Sequence, residues 1–365
     1  MRLSRVLFHI KMMRAVLHDP PPSLPRKPAG SAAAAASASA ASSGDKGDAT
    51  SHREKKVRLF LGSAPRPEPR KEEQEILIRV NAAGVNRMDL LQKAGKYPAP
   101  AGASQILGPE AAGVVVSALE GGRFREGERV MALLQGGGYA EYVAVHEGLC
   151  LPVPETLSFV QAAAIPENWL TAYQLLHMVA GVGTALIQLS RLAAIPTVVA
   201  SAGSDEKLRL CRSLGATHVI NYRALEGKFS DAVLEATQGE GADLVLDPVG
   251  ASFMAENAKC CALDACWVLY GSLGGVVAPA FDVRPFLAKR IRLLASTLRN
   301  QSLVYRETLV KLFEEEILPK FADGTLQVVV DSAFPASQAD EAHHRLETNA
   351  NSGKVVLTFD KGDEN

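Results

Sequence analysis

The sequence predicts an α/β chain with two domains, a barrel-like domain of antiparallel strands followed by a doubly wound parallel sheet. Between residues 57 and 145, closely spaced strand-like segments alternate with glycine-rich turns, which is typical of small antiparallel barrels. After Gln161 the pattern alternates between strands and helices, as in a parallel sheet with helices on both faces. The 365 residues are enough for two domains with separate cores.

Composition excludes several classes of protein. A chain that is 47% hydrophobic and 22% charged is typical of soluble globular proteins, and a net charge of −1 argues against a nucleic-acid partner. The five cysteines show no CxxC spacing, so we predict buried free thiols in a reducing compartment rather than a metal site. The longest uncharged window, residues 168–190, contains polar residues and two glycines, so we predict two adjoining soluble helices and no membrane span.

The first 56 residues are predicted to lie outside the main domains, apart from a first strand at residues 13–17. Residues 1–13 are basic and free of acids, which fits either a mitochondrial presequence or a disordered leader ahead of a start at Met13. We therefore expect a cytoplasmic protein, with mitochondrial import as the alternative. Residues 20–50 are rich in proline and then in alanine and serine, which predicts a disordered insertion without stable contacts at residues 31–43.

The strands of the barrel are predicted from periodicity and turn residues. The predicted strands span residues 57–61, 75–84, 113–116, 129–132 and 139–145. In the second domain, strands are predicted at residues 196–200, 218–220, 242–247 and 266–271, with helices at residues 205–214 and 231–237. A glycine turn at Gly181-Val182-Gly183 leads into a further helix that ends near Leu192.

The strand that should precede this glycine turn is missing. A dinucleotide-binding turn needs a buried strand directly before its glycines, so that the following helix aims its N-terminus at the pyrophosphate. Here a helical pattern runs from Gln174 to Met178 and almost directly into the turn. We therefore predict that the parallel sheet lacks its first strand, which would leave the two neighbouring strands without ladder partners and split the sheet.

Four segments together resemble the zinc-free quinone oxidoreductases of the medium-chain dehydrogenase/reductase superfamily. The segments are AGVNRMD at residues 83–89, LGPEAAG at 107–113, AAAIPENWLTA at 162–172 and YGSLGG at 270–275. The resemblance extends from Val57 to Phe359 and implies a GroES-like barrel formed by both ends of the chain around a Rossmann domain. The implied boundaries are a catalytic domain at residues 57–165, a cofactor domain at 166–298 and a return to the catalytic domain at 299–365.

The resemblance also implies chemistry without metal. Zinc-dependent relatives carry a cysteine at the position of Asn86 and a histidine at that of Pro109, so the ligands of a tetrahedral zinc site are missing here. The implied reaction is direct hydride transfer from a nicotinamide to a quinone, with Asn86, Tyr97 and Thr171 beside the reacting groups. Purely structural roles remain open for these three residues: a helix cap, a loop lining and a backbone contact.

The expected cofactor is NADPH. The end of the second parallel strand carries no acid for a ribose 2′-hydroxyl, whereas Ser204 could hydrogen-bond a 2′-phosphate and Lys207 supplies positive charge. The resemblance implies Tyr222 as a third phosphate contact. Ser204 followed by two acids is equally an ordinary helix start. The resemblance further places Gly181, Val182, Gly183, Gly271, Leu273 and Arg299 at the cofactor.

Two function classes follow from the missing segment of roughly fifteen to twenty residues. The first is an active NADPH-dependent quinone reductase, a homodimer that pairs strands near residues 291–296. The second is a catalytically impaired isoform or homologue that acts, if at all, as a dimer or interaction partner. A splice variant and a gene-model error would both explain the deletion. Because the cofactor helix has lost its anchoring strand, we expect this chain to bind NADPH poorly or not at all.

Overall fold

The structure, a computed structural model, describes residues 11–18, 57–177, 183–278 and 280–359. The predicted disordered insertion, the residues before Lys11 and the turn residues Gly181 and Val182 lie outside these ranges. No helix in the described ranges is both long and apolar enough to cross a membrane.

The N-terminal third of the described chain consists of strands and two short helices. These are β1 (Met12–His18), β2 (Leu59–Pro65), β3 (Glu75–Val85), α1 (Arg87–Lys93), β4 (Glu110–Ser117), β5 (Arg129–Leu133), β6 (Tyr142–His146), β7 (Cys150–Pro152) and α2 (Phe159–Ala162). β1 and β2 form an antiparallel hairpin that touches the larger sheet through a bridge between Ala15 and Ala140.

The central third alternates helices with parallel strands. These are α3 (Pro166–His177), α4 (Gly183–Leu192), β8 (Val199–Ala202), α5 (Asp205–Leu214), β9 (His218–Asn221), α6 (Ser230–Ala236), β10 (Ala242–Asp247), α7 (Met254–Cys260), β11 (Cys261–Leu269), α8 (Arg284–Lys289) and β12 (Arg292–Ala295). The sequence dictates the limits of α5 clearly: Ser204 caps its first turn, and Gly215 ends it at a positive φ of 116°.

The C-terminal segment returns to the first sheet. Its elements are α9 (Leu303–Glu316), α10 (Pro319–Ala322), β13 (Val330–Pro335), α11 (Ala339–Glu347) and β14 (Lys354–Thr358). β14 pairs antiparallel with β3, and the seven-stranded sheet runs β13-β14-β3-β4-β5-β7, with β6 also on β3. The main core lies between this sheet and helices α3, α4 and α9.

Several strand limits differ from the sequence prediction; β2 extends to Pro65 and β4 already begins at Glu110. The strand predicted at residues 196–200 is β8 and begins only at Val199, because Pro196 has no N–H for a ladder and the N–H of Val198 donates to Thr217 Oγ1. The strand predicted at 266–271 is β11 and already begins at Cys261, where it pairs with Ala242 across a register shift. The strand predicted at 139–145 is β6 and begins at Tyr142, because the main chain of Tyr139 bonds to Leu107 and Val16 and not to β3, while its ring is fully buried.

The parallel sheet is split, as the missing strand predicts. β8 and β9 form one two-stranded parallel sheet, and β10, β11 and β12 form a separate three-stranded parallel sheet. In a doubly wound sheet the first strand lies between the strands that correspond to β8 and β10. The break therefore falls at the place where the absent strand would lie.

Candidate functional site

A buried ammonium group organises the site at the junction of the barrel and α3. Lys354 begins β14 and is almost fully buried, and its Nζ lies 2.5 Å from Glu110 Oε1. The same Nζ donates hydrogen bonds to Asn86 Oδ1 (2.6 Å) and Asn168 Oδ1 (3.2 Å). Asn86 Nδ2 in turn donates to Glu110 Oε1 (2.9 Å). A buried charge is tolerable when it is paired and hydrogen-bonded in this way.

A second carboxyl group lies beside this ion pair. Glu110 Oε2 accepts a hydrogen bond from the backbone N–H of Glu167 (2.8 Å), in the first turn of α3. The side-chain Oε2 of Glu167 is buried and has no hydrogen-bond partner among the described residues. Burial, and next the charge of Glu110, raise the pKa of Glu167 to about 8. Glu167 is therefore a protonated acid at neutral pH and has a proton to donate.

A third buried group supports the loop before β4. Asp89 accepts hydrogen bonds from the backbone N–H groups of Asn86 (2.8 Å) and Gly108 (3.0 Å), and from the hydroxyl of Tyr139 (3.2 Å). Burial raises the pKa of Asp89 to about 6, despite these hydrogen bonds. The Tyr139 hydroxyl also contacts Nε2 of the buried His343 at 3.1 Å, so this network joins α1, the loop before β4 that contains Gly108, and α11.

Arg299 and Tyr97 form a polar wall on the other side. The Arg299 guanidinium is buried and donates to the carbonyl oxygen of Gln135 and to Gln92 Oε1 (2.8 Å). It lies 5.6 Å from the centre of the Tyr97 ring, and the Tyr97 hydroxyl lies 3.5 Å from Asn300 Nδ2. Since the guanidinium is already bonded within the barrel, it can orient Tyr97 while contributing positive charge to the site.

Thr171 lies one helical turn after Glu167 on α3, and residues four apart share a helix face. Among the described residues, no hydrogen bond joins Thr171 to Asn86 or Tyr97, and none joins Asn86 to Tyr97. Asn86 stands at the N-cap of α1. Asn86 forms a capping box with Asp89, and its side chain also bonds Lys354 and Glu110, so a purely capping role does not account for it.

The predicted phosphate contacts lie at the carboxyl end of β8. Ser204 Oγ accepts from the backbone N–H of Lys207 (3.4 Å), which is the helix start expected as the alternative, yet its hydroxyl proton remains free to donate. Burial, and then the charges of Arg87 and Arg223, lower the pKa of Lys207. An added Cβ on Gly203 would come within 2.9 Å of the Tyr222 hydroxyl, so these groups surround one small space. Lys207, Arg87 and Arg223 repel one another, and a dianionic phosphate bound between them would relieve that repulsion.

The remaining predicted cofactor residues are more scattered. Gly183 begins α4, and a Cβ added there would meet no atom of the described residues within 4 Å. Gly271 approaches the carbonyl oxygen of Pro248 so closely that an added Cβ would lie 2.5 Å from it. Leu273 is 57% exposed. Gly181 and Val182 lie outside the described residues.

The donor set of the junction does not fit a zinc ion. Tetrahedral zinc sites use thiolate, imidazole or carboxylate ligands. At this place the chain has the amide oxygen Asn86 Oδ1 and the carboxylate of Glu110, and both already bind the Lys354 ammonium group. Among the described residues, no group of three or more His, Cys, Asp or Glu side chains could hold a metal ion.

Residue patterns alone did not single out Lys354, Glu110, Glu167 or the cations beside Lys207. Glu110 and Glu167 lie within the LGPEAAG and AAAIPENWLTA segments, so the signal was present in the resemblance. A glutamate in an otherwise apolar run was the available indication of burial, because an isolated charge among buried residues needs a partner.

Two family models match this chain. Residues 72–155 match the alcohol dehydrogenase GroES-like domain, and residues 181–315 match the zinc-binding dehydrogenase domain. Together with the fold, these matches give the chain a GroES-like domain and a Rossmann-like domain of the type found in the dehydrogenases that the two models describe.

The chain is also similar to individual proteins in sequence and in structure. The chain is 29% identical over 326 residues to the rat synaptic vesicle membrane protein VAT-1 homolog, covering 81% of this chain and 80% of that protein. It is 24% identical over 307 residues to rat quinone oxidoreductase, covering 79% of this chain and 90% of that protein. A mycobacterial protein solved in complex with NADPH has the same fold, with a TM-score of 0.73, 26% identity and coverage of 82% of this chain and 96% of that one. The chain is therefore similar to quinone oxidoreductases and binders of a nicotinamide cofactor.

Proposed function

We propose that this chain carries the substrate site of an NADPH-dependent quinone oxidoreductase that works without metal. The observation that carries the proposal is the Lys354 ammonium, held by Asn86 and Glu110 where zinc-dependent relatives have metal ligands. A fixed positive charge next to a polar wall can stabilise negative charge that develops on a quinone oxygen. The likeness to quinone oxidoreductases and the bound NADPH of a structural relative support the same reaction class.

The residues present fit the two ends of NADPH. The cations around Ser204 and Lys207 suit a 2′-phosphate, and the Tyr97–Arg299 wall suits the nicotinamide and the quinone. Gly271 and Leu273 are proposed to contact the nicotinamide, and Gly181 to Gly183 the pyrophosphate. When bound, NADPH supplies the hydride. The middle of the cofactor bed lacks its strand, since β8 and β10 are not joined.

Quinone reduction consumes one proton together with the hydride, and Glu167 is the acid best placed to supply it. Its carboxyl group is protonated at neutral pH and lies one turn from Thr171, which we propose to orient the substrate oxygen. Asn86 donates a hydrogen bond to the neighbouring Glu110 and Lys354 forms an ion pair with it, so Glu110 is the acceptor of this network while Glu167 supplies the proton. This division of roles allows Glu167 to give up its proton and regain it from solvent.

The second candidate function is that of a catalytically impaired chain that acts through interactions. The split of the parallel sheet favours it, because a pyrophosphate site depends on a fixed helix N-terminus. We therefore propose that the chain as written binds NADPH weakly. Losing several charge-assisted hydrogen bonds, each worth about 1.5–3 kcal/mol, would weaken binding by several powers of ten.

The test compares this chain with a strand-restored chain, which carries a turn, a five-residue apolar strand and an A-G-x-x-G-V-G turn inserted after Val179. NADPH is titrated into both by fluorescence. We expect micromolar binding and reduction of a benzoquinone by the strand-restored chain, and NADPH binding at least a hundredfold weaker in the chain as written. Equal micromolar binding by both would show that the residual glycine turn suffices. A strand-restored chain that binds NADPH but does not reduce quinones would contradict the proposed reaction.

Finer assignments extend this proposal. The motifs are nearest to those of the tumour-suppressor-inducible quinone oxidoreductase, and we propose a cytoplasmic enzyme of that type. A homodimer is supported by β12, an edge strand whose four residues are all exposed, including Leu293 and Leu294. Sedimentation of the strand-restored chain would test the dimer.

A further inference from the structure

A cavity of about 700 Å³ lies between the two pieces of the parallel sheet. Every residue of β8 and of β10 lines it, together with apolar residues of α4 such as Leu186 and Ile187. Of the residues that line it, only Lys207, Asp243 and Asp247 carry a charge. The cavity is therefore mainly an uncharged groove bounded by two parallel strands, and we refer to it as the β8–β10 groove.

The two strands present unpaired edges to this groove. In the described part of the chain, β8 pairs only with β9, and β10 pairs only with β11. In a parallel sheet each strand directs about half of its main-chain N–H and C=O groups to each side, so both edges offer donors and acceptors to the groove. Side chains that a central strand would bury remain accessible: Leu244 is 38% exposed, and Val199 and Ala200 are half-buried.

The size of the groove matches a short strand. One residue of a sheet fills about 150 Å³, from a rise of about 3.3 Å, a strand spacing of about 4.8 Å and a layer spacing of about 10 Å. The groove is therefore large enough to admit a strand of about four residues, the length of β8, and it also reaches Lys207 and Tyr222 of the proposed phosphate site.

The chain's own connection at this place is too short to supply that strand. α3 ends at His177 and α4 begins at Gly183, and residues beside both ends line the groove. Only five residues lie between them, which span at most about 18 Å when extended. A strand of four or five residues with a turn on either side needs about ten. The segment that occupies the groove must therefore be a segment other than this connection.

We propose that the β8–β10 groove binds an extended, uncharged, apolar segment of a second polypeptide chain, which adds as a strand parallel to β8 and β10. A peptide backbone satisfies the donors and acceptors of both edges at once, whereas a hydrocarbon ligand would bury them without partners. The low charge of the lining favours an apolar segment over an acidic or basic one. This inference goes beyond the proposed function, because strand binding requires neither NADPH nor a quinone.

The experiment titrates the intact chain into a fluorescently labelled peptide, Lys-Lys-Ala-Val-Leu-Val-Val-Gly. We expect saturable binding with a micromolar Kd. The same peptide methylated at three alternate backbone nitrogens keeps its apolar side chains but cannot complete the ladders, so it should bind at least tenfold more weakly. Leu244→Glu places a charge in the groove and should weaken binding about tenfold, whereas Leu225→Glu, at an equally exposed leucine outside the groove, should not.

The strand-restored chain is the decisive control, because its inserted strand would fill the groove from within. Loss of peptide binding in that chain supports the proposal. Equal binding by both chains, or equal binding of the methylated and unmethylated peptides, would overturn it by indicating a general apolar surface. Peptide binding that appears only after residues 1–10 are removed would assign the groove to the chain's own N-terminal segment and would also overturn it. A chain without reductase activity can still decide among these outcomes.

Discussion

At the scale of single residues, the site rests on one buried cation. Lys354 is held by Glu110, Asn86 and Asn168, so that its ammonium has three partners and little contact with water. Removing one partner of such a buried pair leaves a charge without compensation, which typically costs about 3–5 kcal/mol. The network therefore fixes the position of Asn86 and holds Glu110 against the start of α3.

Glu167→Gln tests the proton donor, in the strand-restored chain. The pKa of Glu167 is raised to about 8, so the acid form is present below pH 8 and is lost as the pH rises through that value. We expect kcat/KM of the parent chain to fall above pH 8, and the variant to show a kcat about a hundredfold lower without that fall. Glu155→Gln, at an exposed glutamate, is the control. A Gln variant with the parent's rate and pH profile would exclude the role.

His343→Leu tests the buried imidazole in α11. Burial lowers the pKa of His343 to about 3, below its value of about 6.5 in an unfolded chain. The neutral ring therefore stabilises the fold above pH 6.5, and this contribution is lost as the pH falls from 6.5 towards 3. Between pH 7.5 and pH 5, urea unfolding should show a loss of about 2 kcal/mol that the variant lacks.

The exposed neighbour provides the comparison for that measurement. His344→Leu should keep the pH dependence of the parent chain, because His344 lies on the solvent side of α11. The pKa of Asp89 is raised to about 6, so its contribution to stability grows as the pH falls below 6 and has the opposite sign. Asp89 is present in the parent chain and in both histidine variants, so its contribution is the same in all three measurements. An unchanged pH dependence in His343→Leu would show that the imidazole is not the group responsible.

At the scale of elements, β8 and α5 together form the proposed phosphate end of the cofactor site. α5 begins with an N-cap serine and two acids, and helix N-termini favour anions. The acids would weaken this effect. The positive charge that compensates comes from Lys207 and from Arg223 and Arg87, which lie on two other parts of the fold.

Lys207→Ala should weaken the binding of NADPH much more than the binding of NADH. In the strand-restored chain we expect the Kd for NADPH to rise at least tenfold, because a charge-assisted contact to the 2′-phosphate is lost, and the Kd for NADH to change less than twofold. Lys228→Ala, an exposed lysine of the same domain, should change neither value. Fluorescence titration measures both cofactors. Equal losses for NADPH and NADH would place Lys207 away from the 2′-phosphate.

At the scale of the whole molecule, the two halves of the chain differ in how completely they are packed. The barrel and its helices share one large core, whereas the parallel strands divide their buried residues among several small clusters. Small clusters and open strand edges give little protection against local opening. We therefore expect the parallel part to open more easily than the barrel.

Native-state hydrogen exchange should make this difference visible. Amides of β8 and β10 should exchange at least tenfold faster in the chain as written than in the strand-restored chain, since their free edges gain a ladder there. Amides of β3 and β4, which are paired on both sides, should exchange at the same rate in the two chains. Equal exchange of β8 and β10 in both chains would mean that the insertion does not enter the sheet.

Much of this fold was predictable because local pattern and fold agree. The helix from Asp205 to Leu214 and the strand from Ala242 to Asp247 were predicted with the limits that the structure has, since a cap, a terminal glycine and an apolar run mark them. Tyr139 was wrongly predicted to lie in a strand. The alternation of apolar and polar residues around it is the same whether Tyr139 belongs to the ladder or lies in the turn before it. Its buried hydroxyl partners, Asp89 and His343, are 50 and 204 residues away.

The sequence by itself determined the order of the elements, the two-domain class, the absence of thiolate and imidazole at Asn86 and Pro109, and the loss of a strand before Gly183. These follow from the period and type of neighbouring residues. Only the tertiary structure decided that Lys354 lies against Asn86 and Glu110, that Glu167 keeps its proton, and that the missing strand leaves the β8–β10 groove. Each of these depends on groups that are distant in the chain and on their exclusion from water, which local sequence does not encode.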